Sequence, residues 1–329
     1  MKLKYCSALL LGLAFCSCED DPKLLHDAIT DLSNDCIKRS LPVAPNIVNN
    51  DIEFAYAMAI PKKMGTLTYA EAVASIAGME NTRFDPNSYY TNNGGQDIPV
   101  RVASDSKTEG TTTSVEFTVD TCAATLRYYY VIPEEAKGKD VKFTFSVKAS
   151  NGQTVQYKLG PYKISKMDMT KGLKVNAENC FISFQNEGEA MHIYSVEEVE
   201  NNPSLLEKID LMYHYSTYND ISHAIYTASS PEEYMIDASL PAGFVNDTKL
   251  KKIYGMQDRQ LADLKYNKYV DDLDFETLNL TKSSTYLLGM KEESAFWAET
   301  NDGKYRAFVY VNKAPKGEMT ISAKRYPMK

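Results

Sequence analysis

The stretch "DVKFTFSVKASNGQTVQYKLGPYKIS", residues 140–165, decides the fold. Val141, Phe143, Phe145, Val147 and Ala149 alternate with Lys142, Thr144, Ser146 and Lys148, so one face is apolar and the other is wet. A period of two belongs to a β-strand, because successive side chains leave opposite faces of a sheet. Asn151-Gly152 follows, and the alternation then resumes. Asn-Gly between two alternating runs predicts a hairpin, since its turn favours residues that accept positive φ.

The same period extends backwards through "DIEFAYAMAI", "GTLTYAEAVASIAG", "DIPVRV", "TSVEFTVD" and "ATLRYYYVIP". About seven strands then fit between residues 50 and 165, a number that suits an immunoglobulin-like β-sandwich. In "RYYYV", Tyr128 and Tyr130 share one face and Tyr129 takes the other, so the triplet places rings on both sides of its sheet.

Beyond "KISKMDM" a second β-rich unit is predicted, with one or two inserted short helices. "GLKVN" and "NCFISF" read as short strands and "NPSLLEKI" as a helical turn. Helical spacing competes with strand spacing over residues 246–280, where Leu261 and Leu264 begin an apolar stripe. Asp302-Gly303, between "SAFWAE" and "KYRAFVYVNK", marks another hairpin. The expected division is 1–17 leader, 18–48 tether, 49–166 sandwich and 167–329 second unit.

The leader carries Lys2 and Lys4 before an apolar run of about a dozen residues, too short to span a bilayer. Ser17 before Cys18 suits a lipoprotein peptidase better than Phe15 before Cys16, so Cys18 is the expected lipidation site. Lipidation would tether the protein to a membrane without crossing it. "EDD", Glu19 to Asp21, resembles the acidic export tag of outer-surface lipoproteins of Bacteroidetes, which implies an outer-membrane location facing the exterior.

Without residues 1–17 the chain holds 34 basic and 44 acidic residues. That balance supplies no basic footprint for nucleic acid. No phosphate-cradling glycine loop is present, so neither a nucleotide nor another cofactor is expected. Cys36, Cys122 and Cys180 are too far apart for a CxxC zinc or redox motif, and no metal site is expected. One intramolecular disulfide can form among them; Cys36 with Cys122 is the expected pair, with buried free thiols as the alternative.

"VDDLDFE" brings Asp271, Asp272, Asp274 and Glu276 together. It lacks the glycine that an EF-type calcium loop needs, and it reads as a solvated helix end. A glycosidase pair needs two carboxylates about 5 to 10 Å apart across a cleft, which spacing along a chain does not establish. His26, His192, His214 and His223 have no catalytic motif around them, although His214 and His223 bracket Asp220.

Tyrosine occurs 23 times against one tryptophan. Its rings combine apolar area with a hydroxyl, which suits sugar faces and protein partners alike. The candidate ligand-binding set is Tyr213, Tyr215, Tyr218, His223, Tyr226 and Trp297. The expected function is non-catalytic binding of a glycan or a partner protein at the cell surface, the alternative being a structural subunit of an outer-membrane assembly and the third reading a glycosidase-type enzyme.

Longer motifs carry a family resemblance. "DCIKRSLPVAPNIV", "SYYTNNGG", "DTCAATLRYYYVIPEEAKGK", "KIDLMYHYS", "HAIYTASSP", "DDLDFETLNL" and "TNDGKYRAFVYVNK" resemble an uncharacterised family of two-domain surface lipoproteins from gut Bacteroidetes. The resemblance covers nearly the whole chain after the leader. It implies β-rich halves and carries over no catalytic residue.

Overall fold

A computed structural model describes residues 30–39, 41–218, 221–262 and 266–328. The leader, Cys18, His26, Asp220 and Leu264 lie outside the described residues. The protein is mainly β, built as two sandwiches joined without a spacer.

The first unit contains β1 (Ser33–Lys38), β2 (Asp51–Ala59), β3 (Leu67–Ala74), β4 (Arg83–Thr91) and β5 (Asp97–Arg101). It continues with β6 (Lys107–Glu109), β7 (Thr112–Glu116), β8 (Ala123–Val131), β9 (Asp140–Ala149) and β10 (Thr154–Lys163). One sheet runs β1-β2-β8-β4-β5 and the other β10-β9-β3-β7-β6. Nine strands therefore lie between residues 50 and 165 instead of seven. The period-two reading missed β4, whose Pro86 and register shift between Phe84 and Ser88 break the alternation, and the fully exposed β6.

The alternating residues face inward as expected. Phe54, Tyr56, Leu126, Tyr128, Phe143 and Phe145 form the core, with Phe54 and Phe143 centroids 4.8 Å apart and Tyr128 edge-on to Phe145 at 5.6 Å. Ala70, Ala72 and Ala74 on β3 leave room for these rings, so large and small side chains interdigitate. Tyr129 points outward as read, with the Arg83 guanidinium 4.7 Å from its ring centre. The Asn151-Gly152 hairpin is present, but only Gly152 takes a positive φ, +86°, and Ala149 pairs with Gln153 around a three-residue loop.

Two expectations for the N-terminal part are corrected. Residues 33–38, read as tether, form β1, in register with β2 from Ser33 opposite Ala59 to Lys38 opposite Phe54. An edge strand gains its partner through backbone hydrogen bonds and needs little apolar pattern; in "SNDCIK" only Cys36 is buried. The Cys36–Cys122 disulfide does not form, and Cys36, Cys122 and Cys180 are free. Ala59 faces both Ser33 and Ala123, so Cys122 lies two strands and four positions from Cys36. That offset is about 10 Å sideways and about 13 Å along the strands, beyond the roughly 7 Å Cα separation a disulfide allows.

The second unit comprises β11 (Asp168–Val175), β12 (Phe181–Ser183), β13 (His192–Tyr194), α1 (Val196–Asn201), β14 (Leu211–Tyr215) and β15 (His223–Tyr226). After these come β16 (Lys249–Tyr254), α2 (Asp272–Glu276), β17 (Tyr286–Leu287), β18 (Ser294–Glu299), β19 (Tyr305–Lys313) and β20 (Met319–Pro327). Its sheets run β11-β20-β19-β18-β16 and β13-β12-β14-β15-β17. Two short helices occur, each opened by a capping box, Ser195 with Glu198 and Asp271 with Asp274; α2 lies in the stretch read as helical, whereas α1 was not read. "NPSLLEKI" contains a 3-10 turn over Pro203–Lys208. The helical reading of residues 246–280 is otherwise overturned: Lys249–Tyr254 pairs along β18, and among the described residues only Asp272–Glu276 becomes α-helix. Backbone pairing to an existing sheet outweighs a weak 3.6-residue pattern.

The sheet β11-β20-β19-β18-β16 is covered on both faces. Phe296, Val309 and Ile321 meet the other sheet, while Trp297, Phe308, Tyr310 and Tyr326 are covered by Leu261, Val270 and Phe275 from the 256–283 crossing. Ile47 and Met167, from the two chain segments at the junction, are fully buried in this latter cluster. Apolar burial across the junction makes the two sandwiches one packed body. Asp168 adds a polar tie, bonding Lys137 of the first unit and Arg325 of β20, the latter at 2.6 Å.

Candidate groove at the junction of the two sandwiches

Residues 41–46 run between the sandwiches, and two adjoining concavities flank them. One, of about 620 Å³, is walled by Val43, Tyr254, Gln257, Lys268, Tyr269 and Asp274. The other, of about 480 Å³, is walled by Val43, Pro161, Lys163, Asp272, Leu273 and Glu276. Both share Val43 and Asp271. Their sizes fall in the range of about 300 to 1,000 Å³ typical of ligand sites, which favour domain interfaces.

The walls rest on a buried network that the sequence did not reveal. Lys324 and Asp258 are both fully buried, with Nζ 2.6 Å from Oδ2. The Lys324 ammonium also donates to Gln260 Oε1 at 2.8 Å and to the Val270 carbonyl at 2.9 Å, so its three protons are satisfied. Asp258 accepts from the backbone N–H of Gln260 at 2.8 Å and of Val270 at 2.9 Å. Gln260 Nε2 then donates to the Pro45 carbonyl at 3.0 Å. One buried pair thereby holds Tyr269 and Asp271, which flank Val270, against the 41–46 segment. Burial pulls the Lys324 ammonium below its ordinary range, and Asp258 opposes that fall.

Each carboxylate of "VDDLDFE" has a structural duty. Asp271 caps α2, accepting from Leu273 N at 2.9 Å and Asp274 N at 3.2 Å, and Asp274 returns a bond to Asp271 N at 3.0 Å. Asp272 accepts from the Ser165 hydroxyl and from Lys163 at 2.9 Å, pinning the helix to the first unit. That bond raises the Lys163 ammonium above its ordinary range. Glu276 accepts from the Tyr326 hydroxyl at 2.7 Å, and burial followed by this bond drives the phenol upward. The helix-end reading therefore holds, and every carboxylate of the stretch is held by its own neighbours. Among the described residues no group of three metal-ligating side chains occurs.

The six residues expected to line a ligand site do not meet in one groove. Tyr213, His223 and Tyr226 are buried in the second sandwich, where Tyr213 Oη lies 2.9 Å from His223 Nδ1 and the Tyr226 hydroxyl donates to the Tyr234 carbonyl at 2.9 Å. Burial depresses His223 and keeps it neutral. Tyr215 is half-buried, edge-on to His223 at 5.0 Å. Trp297 is buried in the separate cluster against Phe275 and Phe308. Tyr218 alone is exposed, at 58%. Both faces of β14 and β15 are covered, so strand alternation cannot put their rings in solvent. His214 faces Ala224 while Tyr215 faces His223, so the two histidines project to opposite faces and share no site.

The exposed rings are others. Tyr254, 72% exposed, ends β16, and Tyr266, 63% exposed, lies beside the groove. Lys252 sits 5.0 Å from the Tyr254 ring centre. Gln257 Oε1 is buried in the groove wall without a hydrogen-bond partner. The signal in the sequence was the spacing of Tyr254, Tyr266 and Tyr269 around polar residues, which a helical reading of 246–280 concealed.

Comparison with known proteins places both halves. Residues 29–164 match the domain of unknown function DUF4466, and residues 165–328 match the domain of unknown function DUF8576. The crystal structure of a DUF4466 family protein from Parabacteroides merdae is 66% identical, with a TM-score of 0.90, over 92% of this chain and 100% of that one. The major pilin GBS80 of Streptococcus agalactiae, in a C-terminal fragment, is 13% identical with a TM-score of 0.30, over 46% of this chain and 63% of that one. The pilin BcpA of Bacillus cereus is 10% identical with a TM-score of 0.31, over 61% of this chain and 60% of that one. No curated protein matches. With two-thirds identity over a complete relative, the chain belongs to the DUF4466 family, whose function is unknown.

Proposed function

We propose that this protein is a lipid-anchored outer-membrane protein, tethered through Cys18 and facing the cell exterior, that captures a ligand without chemistry in the junction groove. One observation carries the reading. The groove sets an exposed tyrosine, Tyr254, beside Tyr269 on a buried scaffold, while its carboxylates are held in caps and ion pairs. Preorganised walls lower the ordering cost of binding. Anchoring would keep the groove concentrated at the cell surface.

The test is glycan-array and surface-extract binding by the chain lacking residues 1–18, alongside its Tyr254→Ala variant. We expect binding that the variant weakens at least about tenfold, equivalent to about 1.4 kcal/mol, with unchanged thermal stability. Binding that ignores Tyr254, or none across broad panels, overturns the reading.

A second reading, a structural subunit of an outer-membrane assembly, is favoured by the outer face of the β1-β2-β8-β4 sheet. There Ala57, Ala59 and Ala123 floor a concavity of about 500 Å³, and Ile37 stands 59% exposed. Co-purification of a stoichiometric partner from detergent extracts would support it, and a protein that always runs alone would exclude it.

A further inference from the structure

A third recess, of about 280 Å³, opens along the 41–46 segment. It collects three cations from distant parts of the chain, Lys38 of β1, Lys171 of β11 and Arg259, against one carboxylate, Asp51. Elsewhere at the junction Lys137, Lys163, Lys324 and Arg325 are each matched with a carboxylate. These three are not. Lys38 Nζ donates to the Asn46 side-chain oxygen at 2.8 Å and Arg259 to that of Asn267, both neutral acceptors, and none of the three makes an ion pair among the described residues. Burial raises the Asp51 carboxyl and Arg83 opposes the rise, so its charge is met by Arg83 and not by the recess cations.

Lys38 is the decisive residue. It shares a strand face with buried Cys36 and stands opposite Phe54 of the core, so it occupies an inward-facing position and is half-buried. Burial lowers its ammonium below the ordinary range, and no acid offsets the fall. A charge taken out of water without a counter-ion costs stability, and an anion entering the recess would supply one. Lys171 belongs to the bulge between Thr170 and Leu173, a device that re-aims side chains out of a strand's alternation.

The geometry points to a binding site for a doubly charged tetrahedral oxyanion, a phosphate ester or free phosphate, held by Lys38, Lys171 and Arg259. A guanidinium presents its donors in a planar fork that matches phosphate oxygens, and an ammonium adds a point charge. Three cations against one carboxylate leave a positive surplus of at least two, which suits a dianion. The recess lies below the range of about 300 to 1,000 Å³ that holds whole ligands, so it takes an anionic group and its linkage. A long polyanion is disfavoured, because the chain as a whole carries a formal charge of -8 and repels it. The site uses neither Tyr254 nor the carboxylates of α2, and it stands apart from the groove reading above.

The experiment titrates the chain lacking residues 1–18 at low salt with inorganic phosphate, glucose 6-phosphate, glucose and acetate. It also mixes the protein with phosphatidylcholine vesicles, with and without phosphatidic acid. We expect calorimetric binding of both phosphates, none of glucose, and acetate at least about tenfold weaker. Arg259→Gln and Lys171→Gln, both at exposed positions, each weaken phosphate binding at least about tenfold and leave the melting temperature unchanged. Lys38→Met abolishes binding without lowering the melting temperature of the free protein, since it removes a charge that burial penalises.

Capture by the phosphatidic acid vesicles alone, lost in Arg259→Gln, would assign a lipid head group as the source of the phosphate. Binding in solution without vesicle capture would assign a soluble phosphorylated ligand. Acetate bound as tightly as phosphate would overturn the oxyanion class, and a lower melting temperature for Lys38→Met would overturn its role as a waiting charge. Phosphate binding that survives Arg259→Gln and Lys171→Gln, or no phosphate binding at all, would overturn the site.

Discussion

Lys324 Nζ lies 2.6 Å from Asp258 Oδ2, with both side chains at zero exposure, and the pair joins the last strand to the wall of the groove. Removing one partner of a buried pair leaves an uncompensated charge, which costs about 3 to 5 kcal/mol. We expect Lys324→Met to lose that much in urea unfolding. Lys324→Met combined with Asp258→Asn should regain at least half, because the amide oxygen can still accept from Val270 N–H or Gln260 N–H. A single variant within about 1 kcal/mol of wild type would deny the pair its role.

The Asp210 carboxyl ties three segments together, accepting from Phe184 N at 2.7 Å, Gln185 Nε2 at 3.2 Å and Thr248 Oγ1 at 3.3 Å. Burial pushes it up to about 6, against these bonds, which favour the anion. Its ordinary value is about 3.9, so between these two values the folded state holds a proton that the unfolded state has released. Stability from this group is therefore full below about pH 4, falls as pH rises to about 6, and is level above, a swing of about 3 kcal/mol. Asp210→Asn should abolish that slope. Parallel curves for the two proteins across pH 4 to 7 would count against it.

Cys36 is buried and its thiol is driven upward, first by desolvation and then by Asp35. Cys180 is pushed up to about 11 by burial. A thiolate is the reactive form, so iodoacetamide at pH 8 should label Cys122, which is only half-buried, well before Cys36 or Cys180. The intact mass should not change on reduction. A gain of 2 Da with reductant would restore the disulfide.

Ile47 and Met167 enter one apolar cluster with Trp297, Phe308 and Phe275. A shared core couples the sandwiches, so the wild type should melt in a single calorimetric transition. Met167→Ala should cost about 2 to 5 kcal/mol, and with Ile47→Ala it should split the melt in two. Two transitions already in the wild type would show that the junction contributes little.

Alternation at Val141 to Ala149 and the glycines of the two hairpin turns were local signals, and they appear where the sequence placed them. Gly152 and Gly303 take the positive φ their turns require. The acids of "VDDLDFE" likewise read correctly as a helix end, because capping is settled within three residues. Edge strand β1 was not legible, since its stability comes from β2 and not from its own side chains. Nor was the groove. Its tyrosines, Tyr254 and Tyr269, were not among those named, because the sequence does not sort rings into core and surface, and Lys324, which looks like a surface residue in "SAKRY", finds Asp258 only after 65 intervening positions fold back.

By itself the amino-acid order determined the strands that alternate clearly, the two hairpin turns, and that the assembly is mainly β. Only the tertiary structure decided which aromatic rings are wet, which cysteines stay apart, and where the two sandwiches leave a recess. Alternation separates the two faces of a strand, but whether one face or both are covered depends on the layers that distant parts of the chain lay over them.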